Sequence, residues 1–447
     1  MHRQGALPEL LIPASGLETL KVAVHYGADA VYIGGEAFSL RAKAKNFTQE
    51  EMRQGVAWAH DHGVKVFVTV NILAHNEDLE EADSYLAFLA QLNPDALLVA
   101  DPGLFVRARK ICPGIPIHIS TQANNVNYET FLFWHGLGAE RVVCGRELSL
   151  AEISSIRSRI PDSLEIEAFV HGAMCISYSG RCLLSNFLTG RDANHGACTH
   201  PCRWQYHLSG SGMAGEGFPD DHREQALPET EEGTAAWIEE ESRPGEAFPV
   251  YENERGTFLF NSKDLCMIEH IPDMIKAGID SLKIEGRMKN ALYVATTART
   301  YRKALDDLGR GREHYEGGMD WYRKQIRDCT FRPFTTGFFY GRPGADAQIY
   351  DSNTYEKTCT YLGCVKSTVQ IGGHSYIEIE QKNKFSVGET AELMRPDGTD
   401  VQFAIREILD ENGNPLSSAP HPQQKLFVRT DVQAEPYEIL RRREATV

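Results

Sequence analysis

The chain has 447 residues, 42% of them apolar, which is enough for one large core and a further domain, and it carries a formal charge of −16. No apolar run reaches the ~18 residues of a membrane span, and the opening MHRQGALPELLIPASG lacks the apolar stretch of a secretory signal. The expectation is a cytoplasmic protein with reduced thiols and no membrane contact. The acidic total argues against a nucleic-acid partner only on average. Between Glu216 and Glu246 eleven acidic residues face only Arg223 and Arg243, whereas between Ser281 and Arg332 twelve Lys/Arg outnumber seven Asp/Glu. One face could be basic, or both stretches could be ordinary solvated surface.

From the N-terminus, short β-prone runs alternate with amphipathic helical stretches. The predicted strands are Glu9–Pro13, Ala30–Gly34, Lys65–Asn71, Ala96–Asp101, Pro116–Thr121, Arg141–Arg146, Glu165–Val170 and Ser281–Glu285. Helical patterns such as Leu17–Tyr26, Gln49–His62, Leu79–Leu92 and Leu150–Arg159 lie between the first seven, and Thr48 with Glu51 and Ser149 with Glu152 have capping-box spacing. Eight such units predict a (β/α)8 TIM-like barrel over residues 1–345, with an open doubly wound sheet as the alternative. Active sites of such barrels lie at the carboxyl ends of the strands. The residues to read are therefore Asn71, Asp101, Ser120-Thr121-Gln122, Arg146-Glu147, His171 and Glu285-Gly286-Arg287.

The crossover after strand seven is far too long for one loop. It holds a cysteine-rich insertion over residues 172–260 and then Asn261–Ile279, whose SKDL start and apolar spacing suggest the seventh helix. A long helix over about Asn290–Leu308 brings Arg299, Arg302 and Lys303 close together, and residues 309–344 read as a Gly/Arg/aromatic linker. In the remainder, 346–447, β-prone runs alternate with turns at Gly372-Gly373, Pro396-Asp397-Gly398 and Asn412-Gly413, which predicts a small antiparallel β-barrel domain. Such domains often serve as nucleic-acid or partner platforms.

Four of the ten cysteines, Cys175, Cys182, Cys198 and Cys202, follow a C-x6-C-x15-C-x3-C order just past strand seven. Thiols gathered this way in a reduced compartment suit a metal or cluster cage better than a disulfide framework. Only the last two are tightly spaced, which favours an iron–sulfur cluster over the paired knuckles of structural zinc, with zinc as the runner-up. The scattered Cys112, Cys144, Cys266, Cys329, Cys359 and Cys364 read as core packing. His171, as a proton shuttle or merely a partner of the turn, and Glu285 are the candidate acid–base groups. There is no GxSxG elbow and no HExxH helix, so a hydrolase finds little support.

The motifs PELLIPASGLETLKVAVHYGADAVYIGG, STQANN, FVHGAMCISYSGRCLLSNFLTGRDANHGACTHPCRW, NSKDL and SLKIEGRMK together resemble the collagenase-like peptidase family of bacteria, and most closely its tRNA-hydroxylation branch. The likeness runs from Pro8 to about Tyr301, and the β-rich tail is similar to that branch's C-terminal domain. The resemblance implies conversion of the wobble uridine of tRNA to 5-hydroxyuridine, with prephenate as small-molecule co-substrate and a cluster, [4Fe–4S] by expectation, on Cys175, Cys182, Cys198 and Cys202. Sister branches act as hydroxylation factors for ribosomal RNA or the ubiquinone ring, and the older family name implies proteolysis. A dicarboxylate such as prephenate needs cationic and polar partners at the barrel mouth, for which Arg41, Asn71, Gln122, Arg146, Lys283 and Arg287 are the candidates. The Arg-rich helix and the β domain are expected to hold the tRNA anticodon arm, and a protein redox partner is an option. A peptidase and a non-catalytic RNA-binding subunit are the competing readings.

Overall fold

Apolar residues at every second position of the first seven strands point away from their own sheet and onto helices, and the fold follows from that alternation. In the computed structural model, which describes residues 7–36, 38, 39, 46–175, 177, 178, 182, 185, 202, 262–343, 347, 349 and 356–444 and the backbone of 234–239, 247–253 and 256–258, eight parallel strands close into a ring. They are β1 (Glu9–Pro13), β2 (Ala30–Gly34), β3 (Lys65–Val70), β4 (Ala96–Val99), β5 (Ile117–Ile119), β6 (Arg141–Val143), β7 (Glu165–Ala173) and an eighth, Ser281–Ile284. The eighth pairs with both β1 and β7, which shuts the barrel. Helices α1 (Leu17–His25), α2 (Gln49–Asp61), α3 (Asn76–Leu92), α4 (Pro102–Ile111), α5 (Tyr128–Gly136) and α6 (Leu150–Arg157) pack outside. Both expected capping boxes are formed, at Thr48 and Ser149.

Leu10, Ile12, Val31, Ile33, Val66 and Val68 face the helices, while Leu11, Ala30, Tyr32, Phe67, Ala96 and Leu98 form a separate cluster inside the ring. Charge fills the rest of the interior. Arg141 binds Glu9 (2.6 Å), Glu165 (2.6 Å) and Glu167 (3.0 Å), and Lys283 Nζ donates to Glu167 Oε1 at 2.6 Å. Glu167 is fully buried; a carboxylate there is tolerable only because two cations meet it.

Three sequence expectations are corrected. Asp101 is not a strand-end site residue; its carboxylate accepts from Leu104 N at 2.9 Å and caps α4. The helix expected over Asn261–Ile279 is a strand, Asp264–Cys266, followed by a short helix, Ile271–Lys276. The cause is β7, which runs beyond the ring and leaves an edge that Asp264–Cys266 pairs antiparallel, Asp264 opposite Ala173. Residues after 309 are not a linker: helices Arg312–Gly317 and Met319–Gln325 dock through Tyr315, whose hydroxyl donates to Ile268 O (2.6 Å), and Tyr322, which donates to Asp307 (2.6 Å).

The C-terminal domain is an eight-stranded antiparallel sheet around its own core of Leu362, Ile377, Leu393, Ile408, Val428 and Leu440, among others. Its hairpin Cys359–Ile371 to His374–Gln381 turns on Gly372 and Gly373, both with positive φ, as a two-residue turn requires. This domain is seated on α1 and on the long helix Ala291–Arg310. Tyr26 Oη donates to Met394 O (2.6 Å) and accepts from Ile439 N (3.1 Å). Arg299, 1% exposed, donates to Asp400 (2.5 Å), Arg395 O (2.8 Å) and Gln325 (2.5 Å). The expected RNA-binding cluster on this helix is thus largely spent within the molecule, since Arg302 pairs with Asp29 and Asp306 and Lys303 with Asp307. Asp400 and Asp29 lie far away in the chain, outside the local charge count, whereas Asp306 and Asp307 are one helical turn away and were already in it.

No helix among the described residues is long and apolar enough to cross a membrane.

Candidate functional site

The strand ends gather polar groups at one mouth of the barrel. Arg287, which follows the eighth strand, is buried and donates to Ser39 Oγ (2.5 Å) and Thr69 Oγ1 (2.9 Å). Gly34 leaves room for it: a Cβ there would stand 2.6 Å from the guanidinium. Nearby in strand order, Asn71 Nδ2 donates to Ser120 Oγ at 3.2 Å. On the other side Arg146 donates to Ala173 O (2.9 Å), contacts Glu285 (3.3 Å) and lies over the Phe169 ring at 4.1 Å. Buried Gln122 Oε1, Asn125 Nδ2 and Arg146 Nε have no hydrogen-bond partner among the described residues. Unpaired buried polar atoms at a barrel mouth are what a polar ligand would satisfy.

The two candidate acid–base groups fare differently. His171 is 2% exposed and packed among the rings of Tyr293, Tyr301 and Phe334. Burial, reinforced by the Lys289 charge, pushes its pKa down to about 3, so the imidazole stays neutral through the physiological range. That environment does not suit a shuttle working near neutrality. Glu285 keeps its carboxylate on Arg146 at the mouth, and its backbone accepts from Tyr293 Oη (2.7 Å) and donates to His171 O (2.8 Å). Gly172, with φ +112°, permits this approach, because a Cβ would stand 2.7 Å from Glu285 O. Lys283 is a member of the buried interior network and not of the mouth: besides Glu167, its ammonium lies 4.4 Å over the Tyr32 ring. Desolvation holds its pKa below the usual lysine value. Arg41 lies outside the described residues.

Beyond β7 the chain leaves the ring at Cys175, whose Sγ is exposed, with Ser177 Oγ 3.6 Å away. Cys182 and Cys202 are half-buried, and Cys198 lies outside the described residues. The contrast with the other cysteines is chemical. Cys112, Cys144, Cys329, Cys359 and Cys364 are buried, and burial pushes their thiols up to about 11 or 12. Cys266, opposite His171, is raised in the same way. Among the described residues no three His, Cys, Asp or Glu side chains converge as metal ligands do, a comparison without Cys198. As donors, the thiols of Cys175, Cys182 and Cys202, outside the core, fit a thiophilic metal or cluster.

A cleft of about 330 Å³ opens beside Cys175, walled also by Glu147, Tyr178, Lys263, Thr335 and Phe338. Of these five, sequence reasoning singled out only Glu147, as a strand-end residue beside Arg146; it missed Tyr178, Lys263, Thr335 and Phe338, and also Ser39 and Thr69. Thr69 was within reach, since it shares the inward register of Lys65 and Phe67 on β3. Phe338 carries no such signal, because its position depends on strand Phe334–Thr335 joining the barrel edge.

Comparison with known proteins gives this architecture a family. The model of peptidase family U32 matches residues 15–349, and that of the peptidase family U32 C-terminal domain matches 357–441. The chain belongs to peptidase family U32. Among its relatives, tRNA hydroxylation protein P1 of Bacillus subtilis is 38% identical, over 97% of this chain and 94% of that protein. The tRNA hydroxylation protein P of Escherichia coli is 40% identical, over 92% of this chain and 91% of its own length. The 23S rRNA 5-hydroxycytidine C2501 synthase of Escherichia coli is 31% identical, over 94% of this chain but 56% of that protein.

Proposed function

We propose that this protein is a tRNA-modifying enzyme required to hydroxylate the wobble uridine to 5-hydroxyuridine. One observation carries the reading: the chain matches a tRNA hydroxylation protein nearly end to end, barrel and β domain together. The older peptidase reading would need a nucleophile beside a competent base. Cys175 is exposed, but His171 is buried among aromatic rings and held neutral, and the exposed thiol has Ser177 as its neighbour.

In this reading Arg287 and Arg146 bind the carboxylates of the small acid, prephenate, with Asn71 and Gln122 as polar partners and Glu285 orienting Arg146. Arg41 would join them. Lys283 supports the floor electrostatically from inside the ring. Cys175, Cys182, Cys198 and Cys202 would hold an iron–sulfur cluster. Replacing a C5–H bond by C5–OH removes two electrons, which an external acceptor has to take up; a cluster on these cysteines would relay them when bound. Glu285, the carboxylate paired with Arg146, would take a proton at the mouth. His171 ties β7 to the end of the eighth strand through its carbonyl, which accepts from Glu285 N, and by packing its ring among Tyr293, Tyr301 and Phe334. The tRNA is gripped elsewhere than on Arg299, whose charge is already matched.

The test is nucleoside analysis of tRNA from a bacterial strain lacking its own tRNA hydroxylation proteins. This chain restores 5-hydroxyuridine, and Cys175→Ala, Cys182→Ala, Cys198→Ala and Cys202→Ala do not, while Cys144→Ala does. Iron and sulfide of anaerobically purified protein fall in the same four variants. Failure of the unmodified chain to restore the nucleoside would defeat the proposal.

A further inference from the structure

The cleft beside Cys175 differs from the barrel mouth in its chemistry. At the mouth two guanidinium groups, Arg287 and Arg146, outnumber the one carboxylate, Glu285; the cleft has one cation and one carboxylate, Lys263 and Glu147, beside two aromatic rings, Tyr178 and Phe338. A dicarboxylate gains little from such a balanced wall. A neutral, flat, hydrogen-bonding ring gains from both halves of it, stacking on the aromatic faces and pairing its polar edge. Tyr178 is 52% exposed, and its ring is committed to no aromatic partner among the described residues. Lys263 has no ion-pair partner among the described residues, although its backbone N–H donates to Ala347 O at 3.0 Å. One carboxyl oxygen of Glu147 has no hydrogen-bond partner there either. The volume of about 330 Å³ is at the small end for ligand pockets, about 300 to 1,000 Å³, and suits one nucleotide better than a folded segment.

We infer that this cleft receives the target pyrimidine base once it has left the anticodon stack, with Tyr178 and Phe338 as the stacking surfaces and Lys263, Thr335 and Glu147 at its polar edge. A uracil edge offers one N–H between two carbonyls. Lys263 and the Thr335 hydroxyl donate to carbonyls, and Glu147 accepts from the imide N–H. A base so held lies against Cys175, the first of the four cysteines, while the small acid occupies the mouth beside it. The inference rests on the RNA-modification reading and gives that reading a place for its substrate.

The experiment is photocrosslinking of the full-length chain to an anticodon stem-loop RNA carrying 4-thiouridine at the wobble position, with the attached peptides mapped by mass spectrometry. The crosslink is expected on the peptide holding Tyr178 or that holding Phe338. Tyr178→Ala lowers the affinity for this RNA by roughly tenfold, the loss of one stacking surface, and Tyr178→Phe restores it. Phe338→Ala is read beside it, with its melting temperature checked because Phe338 also leans on the core. If tRNA is still hydroxylated but the crosslink maps elsewhere and Tyr178→Ala binds as the parent does, the cleft is not the base site. If the chain neither binds the stem-loop nor modifies tRNA, the RNA-modification reading falls, and this inference with it.

Discussion

His171 offers the sharpest test of the site's electrostatics. Its ring is enclosed by Tyr293, Tyr301 and Phe334, with a folded pKa of about 3 against 6.5 in the unfolded chain. The unfolded state therefore binds a proton that the folded state refuses. The neutral ring's contribution is complete above pH 6.5 and is lost as the pH falls from there toward 3. The slope reaches about 1.4 kcal/mol per pH unit, so by pH 4.5 the group costs about 2.7 kcal/mol. His171→Phe keeps an aromatic ring and removes the titration. Urea unfolding of the parent and the variant between pH 7 and pH 4.5 should give stability curves that separate by about that amount as the acid limb is entered. His118 and His25, whose pKa values burial also lowers, act alike in both proteins and cancel in the difference. Parallel curves would mean that the ring is solvated or protonated in the fold, and would restore His171 as a candidate acid–base group.

Two further outcomes are expected. Lys283→Met should destabilise the barrel by about 3 to 5 kcal/mol, the cost of leaving Glu167 short of a cation, and Glu167→Gln in the same chain should recover much of it. A loss of prephenate affinity at unchanged stability would instead return Lys283 to the binding site. Arg299→Ala should loosen the β domain from the barrel, read as faster limited proteolysis between them and as a second unfolding transition; unchanged digestion would show that Tyr26 and its neighbours suffice.

The barrel was legible because its strands are short apolar runs at regular spacing, and their predicted starts mostly fall on the observed ones. The ends were less legible. Asp101 reads as a strand terminus until its carboxylate is seen on the α4 backbone, and Asn261–Ile279 has helical spacing that a free strand edge overrides. The charged residues were the hardest to place. Arg299 looks like part of a basic face, yet its partner Asp400 lies 101 residues further on. Lys283 sits one strand end from the mouth but alternates inward with Ser281, toward Glu167. Composition reports charge; only the register says which way it points. The cysteines were visible by spacing, and the cleft beside them was not, since its walls come from four distant stretches.

The antiparallel pairing of Ala173 with Asp264 has a consequence for how this protein can vary. The long excursion between them departs and returns at neighbouring points on one strand edge. Its length is therefore decoupled from the barrel's geometry: residues can be gained or trimmed far from Cys175 without moving the ring, much as an appliance is exchanged at a fixed socket. The acidic stretch could differ freely between close relatives, and a chimera joined at residues 173 and 264 should still close its barrel.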